Sequence, residues 1–333
     1  MDISIPYYED LSRISNSNIG WFLQKGPAYL HKMLTDPPPE EKNPVLERGS
    51  LIHMYILQPE EFLKTYVVWD KSRPTSAQQE KFCQALANTV EIEPNKAILS
   101  AYKEAYSTAG RSEDKMLLEG LKIASTLKDY IDYLKDPERK QMISPYEYQM
   151  LKKIHNNIKA HKLAWSIIDA PLRAAELCDY EAHHEFHINW GYENKIQCKS
   201  LLDGLTLDFK NKKAIIYDLK TTQKLWHFED SIKQYDYLRQ LDYYSMAVRW
   251  YLINECGVTV DKIFEWEFEY YIIAIDTTGS YEIRVFNIEQ SDVNSRDETI
   301  MTALDEIAWH QKNNKWDHSR EYYNGDGSET LNL

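Results

Sequence analysis

Apolar positions along this chain follow two different periods, and the change between them divides it. Polar Ser15-Asn16-Ser17-Asn18 reads as a helix start, followed by Ile19, Trp21, Phe22 and Leu23 and then Ala28, Tyr29 and Leu30 at helical spacing. Thr35 to Pro44 is a connector rich in proline and acid. A second helix is expected over Glu47–Leu57, and residues 70 to 170 read as mostly helical with Lys and Glu interspersed, which marks solvated faces. From Ala174 to Leu207 the period becomes two. Glu185, His187 and Asn189 alternate with Phe186, Ile188 and Trp190, and a Gly191–Asn194 turn leads into an apolar strand, Ile196 to Leu202, closed by Asp203.

The strand Ala214–Lys220 organises the remainder. Alternation turns Ile215, Tyr217 and Leu219 to one side and Ile216, Asp218 and Lys220 to the other, so a carboxylate and an ammonium share a face. The turn-rich Lys210-Asn211-Lys212-Lys213 lets this strand pair with its predecessor and brings Asp203 and Asp218 together. A helix over about Ser231–Asn254 places Tyr237, Gln240 and Tyr244 on one face. Strands over Glu265–Ile275 and Tyr281–Ile288, a helix over Asp292–Asn313 and a loose polar tail, Trp316–Leu333, complete the reading. The expected organisation is one domain with a mainly helical part at 1–170, a sheet core at 171–315 and the tail at 316–333.

With 333 residues, 43% hydrophobic and 13% aromatic, the chain is long and apolar enough to bury a sizeable core. It carries no membrane-length apolar run and no signal-peptide pattern, so a cytoplasmic protein with no membrane partner is expected. Cys83, Cys178, Cys198 and Cys256 form no Cys-x-x-Cys pair, which argues against a zinc ribbon and leaves reduced, buried thiols as the expectation. The formal net charge of −13 counts against tight, non-specific DNA binding unless the cations are clustered.

Two aspartates beside one lysine make a place for a divalent cation and a hydrolytic water. The spacing Asp203-x14-Asp218-x-Lys220 on a hairpin resembles the core of the PD-(D/E)XK nuclease superfamily. The string Asp218-Leu219-Lys220-Thr221-Thr222 is similar to its RecE/exonuclease VIII branch, related to lambda exonuclease. By composition, His53 on an apolar helix is more often a satisfied core residue. The wider string, Gly49 to His53 and on to Phe62, resembles the branch's N-terminal motif, in which the histidine reaches the metal. Gln240-x-x-x-Tyr244 resembles its motif beside the active site.

The resemblance implies an α/β (α+β) restriction-endonuclease-like core, a central mixed sheet flanked by helices with a helical N-terminal region. It implies Asp203, Asp218, Lys220, Gln240 and Tyr244 as catalytic residues. Asp203, Asp218, the Leu219 carbonyl and His53 would hold Mg²⁺, with Mn²⁺ as a possible substitute. Glu185 is either an additional carboxylate ligand or an exposed polar strand position. Two departures stand out: Leu202 replaces the proline of the superfamily name, and Leu201 stands where relatives often have a basic residue.

The implied activity is 5′-to-3′ digestion of linear duplex DNA for recombination. The implied assembly is a homo-oligomeric ring or toroid that works with a single-strand annealing or recombinase protein in a bacterial or phage-infected cell. Other nucleases of this superfamily, an endonuclease or a single-strand exonuclease, and a non-catalytic binding module are the competing readings.

Overall fold

The computed structural model describes residues 5–39, 43–174 and 179–329. Cys178, the middle of the 35–44 connector and the last four residues lie outside that set. The chain forms two compact units, Met1–Pro59 with Lys152–Leu333 and, separately, Glu60–Leu151. Helices predominate from Asn16 to Ala174, and the long strands begin at Tyr180.

Among the described residues there are seven strands: β1 (Tyr66–Val68), β2 (Gln141–Ile143), β3 (Tyr180–Tyr192), β4 (Ile196–Asp208), β5 (Lys213–Thr222), β6 (Glu267–Asp276) and β7 (Ile283–Ile288). β1 and β2 pair in parallel within the Glu60–Leu151 unit. Its helices at Ala77–Ala87, Pro94–Ala105, Glu113–Thr126 and Lys128–Lys135 enclose Phe82, Ile98, Tyr102, Met116 and Ile131.

The larger unit is built on the sheet β3-β4-β5-β6-β7, in which β5 and β6 are parallel and the other pairs antiparallel. This is the expected mixed sheet. The turn joining β3 and β4 holds Glu193 and Asn194 at φ +46 and +55, and the next hairpin turn is closed by the Asn211 N–H on Asp208 Oδ1 at 2.9 Å. One sheet face packs on the helices Tyr237–Asn254 and Asp297–Asn313 through Leu205, Leu207, Ala214, Ile216, Leu241, Val248 and Leu304. On the other face Tyr217 and Leu219 are buried as well, and the helix Pro44–Leu57 approaches β5, with Gly49 against Thr221.

Several boundaries move. The strand expected to end at Asp203 continues to Asp208, because Leu205 and Leu207 extend the buried face. The Ser231–Asn254 helix is interrupted at Asp236, whose left-handed backbone (φ +48) separates Phe228–Tyr235 from Tyr237–Asn254. The last long helix breaks near Arg296 into Gln290–Asn294 and Asp297–Asn313. The stretch after Trp316 is not uniformly loose: Ser319 caps the short helix Arg320–Asn324, and Arg320 pairs with Glu306 at 3.1 Å. Cys83, Cys198 and Cys256 are unpaired, and burial raises all three thiols. Among the described residues no helix is long and apolar enough to cross a membrane.

Alternation is interrupted once, at the same level in two neighbouring strands. In β3, Phe186, Ile188 and Trp190 join the main core. Below them the parity changes, since Tyr251 donates to Glu181 Oε2 and also meets the Phe186 ring edge-on at 5.2 Å. In β4 the core positions pass from Cys198 and Leu202 to Leu205 and Leu207. The pairing runs His184 to Gly204 and Phe186 to Leu202, with no bridge between Glu185 and Asp203. Glu185 sits at φ +47, an uncommon backbone for a side chain of its size.

Gly204 makes this level possible. A Cβ there would lie 1.9 Å from the Tyr217 ring on the paired strand, and that ring is buried with no room to move. Gly204→Ala is expected to cost on the order of 3 kcal/mol in urea denaturation. In a Tyr217→Ala background the same change should cost under about 1 kcal/mol. Equal costs in both backgrounds would show that the contact does not govern the position.

Candidate metal and catalytic centre

β4 and β5 part at the level of the parity break. Their pairing stops at Gly204 with Tyr217, so continuing that register sets Asp203 across from Asp218. Further along β4, Ile14 takes the place of β5 as neighbour: its N–H donates to the Gln197 carbonyl at 2.9 Å, and the Lys199 N–H donates to the Ile14 carbonyl at 2.8 Å. The site opens between these two partners.

Three side chains converge there. One donor atom from each of His53, Glu185 and Asp203 lies within 4.8 Å of the others. His53 Nδ1 is 3.7 Å from Asp203 Oδ2, and that oxygen accepts the Leu219 N–H at 2.6 Å. Leu219 therefore meets the site through its backbone, its N–H fixing the Asp203 carboxylate. His53 reaches the sheet because Gly49, one turn earlier, lets the helix approach: a Cβ there would lie only 3.3 Å from Thr221 Oγ1.

The other expected residues form an adjoining chain of hydrogen bonds. Lys220 Nζ is 2.6 Å from Asp218 Oδ2 and donates to Gln240 Oε1 at 3.2 Å. Gln240 Nε2 reaches both Asp218 Oδ1, at 3.0 Å, and Tyr244 Oη, at 2.8 Å. The helical spacing of Gln240 and Tyr244 thus produces a contact, and Tyr237, on the same face, lies with its ring centroid 4.8 Å from Lys220 Nζ. All eight expected residues are present in this one region.

The electrostatics are adverse in the absence of a counter-ion. Burial, and then Asp203 and Asp218, push the Glu185 carboxyl up to about 8. Burial also dominates at Asp218; Lys220 opposes it, Asp203 adds to it, and the carboxyl rises to about 6. At Lys220 burial works against the ammonium, but Asp218 and Asp203 outweigh it and the pKa is raised, so the lysine is charged. Asp218 Oδ2, in a side chain 2% exposed, receives no well-aligned hydrogen bond despite the nearby ammonium. Like charges opposite one another in a sheet, a strained backbone at Glu185 and a buried carboxylate oxygen with free lone pairs all disfavour the fold by themselves. A divalent cation would offset the like charges and take up the free lone pairs, and an oxygen-rich donor set with one imidazole suits it.

Sequence reasoning missed two supporting residues. Arg239, 5% exposed, donates to the Asn16 carbonyl at 3.0 Å and meets Asp236, fixing the start of the Gln240 helix. His184 has one ring nitrogen 3.0 Å from the Leu57 carbonyl and the other 2.9 Å from that of Ile168, which ties the His53 helix to β3. Arg239 adjoins Gln240 in sequence, but nothing in the local pattern signals the partners of either residue.

Glu185 generates a pH prediction. Its unfolded carboxyl titrates near 4.5 and its folded one near 8, so the metal-free folded chain binds an extra proton between those values. That contribution to stability is complete below about pH 4.5 and is lost as pH rises through about 8. Glu185→Gln should leave the melting temperature of the metal-free protein unchanged near pH 4. At pH 9 it should stabilise by on the order of 1–3 kcal/mol. With Mg²⁺ present the order should reverse, the unsubstituted chain gaining more. A parallel pH profile for the two proteins would show that Glu185 is not crowded by its neighbours.

No curated protein matches this chain in sequence. Among solved structures it is similar to a crystal structure from Eubacterium rectale, of a protein provisionally named an exonuclease. That similarity has a TM-score of 0.48 and 11% identity, and covers 100% of this chain and 96% of the other. The family described as PDDEXK-like domain of unknown function (DUF3799) matches residues 15–323. A match of that extent, over a mixed sheet that assembles the Asp-Asp-x-Lys set, means that the chain belongs to this PDDEXK-like family, within the PD-(D/E)XK nuclease superfamily.

Proposed function

We propose that this chain is a divalent-metal-dependent deoxyribonuclease, an exonuclease of RecE type that digests linear duplex DNA from 5′ to 3′ and leaves single strands for recombination. The observation that carries the reading is the convergence of His53, Glu185, Asp203, Asp218 and Lys220 at one break in the sheet, at an electrostatic cost that no structural role explains. A homo-oligomer threaded by DNA and a single-strand annealing or recombinase partner belong to the same proposal.

His53, Glu185, Asp203 and Asp218 would hold the ion, Mg²⁺ by its oxygen donors or Mn²⁺ by the imidazole. A divalent ion in that position supplies positive charge against the phosphate oxygens and lowers the pKa of a bound water. The chain's own residues do the positioning. Gln240 donates to Asp218 and accepts from Lys220, fixing both side chains on the phosphate side of β5. Lys220 is held charged by Asp218 and Asp203, which suits it to orient the attacking water and stabilise developing negative charge rather than to remove a proton. Tyr244 accepts from Gln240 and completes the chain.

The test uses 5′-labelled linear duplex and closed circular DNA in Mg²⁺, in Mn²⁺ and in EDTA. Loss of linear DNA alone, dependent on metal, is expected, with early release of the 5′ label. Lys220→Met should lower the rate by about 10²–10³-fold with folding intact, and Asp203→Ala should in addition weaken metal binding. Gln240→Ala should cost less, roughly tenfold. Cutting of circles would replace the exonuclease reading by an endonuclease. A folded protein inert with both metals would leave a DNA- or protein-binding module.

A further inference from the structure

A pocket of about 380 Å³ opens beside the centre, at the end of β5. It begins at Thr221, the residue after Lys220, and is also lined by Arg48, Lys224, Tyr235 and Tyr237. Among the described residues that line it there are two cations and no carboxylate, in a chain whose formal charge is −13. Both cations are exposed, and neither is engaged in an ion pair among the described residues. Elsewhere many of the surface lysines and arginines are paired with acids, as Lys195 is with Glu193 and Asp305.

The aromatic residues at this pocket form a ladder. Phe286 stacks on Phe228 at 5.2 Å, Phe228 on Tyr237 at 6.0 Å, and Tyr237 on Tyr235 at 5.7 Å. The inner ring Phe228 is 2% exposed, whereas the outermost, Tyr235, is 56% exposed. Tyr237 also lies against the Lys220 ammonium. The ladder therefore runs from the candidate catalytic lysine to a rigidly backed ring that presents itself to solvent.

Cations with no ion pair among the described residues, beside an exposed, backed aromatic ring, are the combination that single nucleic-acid strands recognise: phosphates pair with the cations, and any base stacks on the ring. We propose that this pocket seats one nucleotide of the DNA strand being cut, next to the scissile phosphate, with Arg48 and Lys224 on its phosphates and its base on Tyr235. The inference rests on the nuclease reading for the position of the scissile bond. It also accounts for the apolar Leu201 two residues before Asp203, because the cationic grip lies on the β5 side of the site instead of on β4. The pocket volume falls within the range of small-ligand sites and exceeds the space that one phosphate alone requires.

The test measures fluorescence anisotropy of a labelled single-stranded oligonucleotide in Mg²⁺, with Lys220→Met to suppress cleavage and each further substitution made in that chain. Arg48→Ala with Lys224→Ala should weaken binding about tenfold and reduce the salt slope by roughly 1.4, about 0.7 for each phosphate no longer neutralised. Tyr235→Leu, which keeps an apolar side chain, should weaken binding at least fivefold for a normal strand. For a strand made of abasic residues it should change nothing. Unaltered affinity and salt slope in the cation variant, or equal weakening on normal and abasic strands for Tyr235→Leu, would overturn the proposal. If the pocket variants bind weakly but the unsubstituted chain cuts no DNA, the pocket stands and the nuclease reading falls; cleavage with unaffected binding gives the converse.

Discussion

The mutual repulsion of carboxylates held close together in a half-buried place is the constraint on which the rest of this structure depends. Glu185, Asp203 and Asp218 come from three adjacent strands and meet where burial disfavours the charged carboxyls of Glu185 and Asp218. Such an arrangement survives in a marginally stable fold only if the surroundings over-determine it. Here they do: Gly204 lets the Tyr217 ring lie flat against β4, Lys220 and Gln240 hold Asp218, and the Leu219 N–H holds Asp203.

The parity break is the means by which the sheet delivers these groups. A regular strand pair would have kept Glu185 and Asp203 in the ladder, with Phe186 and Leu202 on one face and the strand ends out of phase with the core. Changing parity at one level in both strands allows Leu202 and Leu205 to face the same core while the carboxylates between them leave the pairing. Dehydration, strain and charge crowding are thereby collected at a single level of the sheet, and the helices on either side contribute His53 and Gln240 to that same level. The pocket at the end of β5 continues the arrangement outward, from a crowded negative centre to a cationic and aromatic rim.

Much of the candidate site was legible in the sequence because it rests on short periods. Alternation over Ala214–Lys220 was enough to set Asp218 and Lys220 on one face, and a step of four was enough to bring Gln240 to Tyr244. Boundaries were less legible. The left-handed backbone at Asp236 is stabilised by Arg239 and Arg296, the latter 60 residues away, and no window around Asp236 contains that information. The division into units was hidden for a similar reason: Met1–Pro59 belongs with the sheet, although the Glu60–Leu151 unit lies between them in sequence.

The sequence by itself thus determined the residue types of the centre and the faces they share, since both follow from side-chain directions a few residues apart. Only the tertiary structure decided that Glu185 joins His53 and Asp203, that Leu219 enters by its N–H and that Arg48 meets Lys224 across a pocket. Those relations depend on strand register, on a parity change at φ +47 and on how closely a helix approaches a sheet at Gly49. They are distances between segments remote in the chain, and only packing sets such distances.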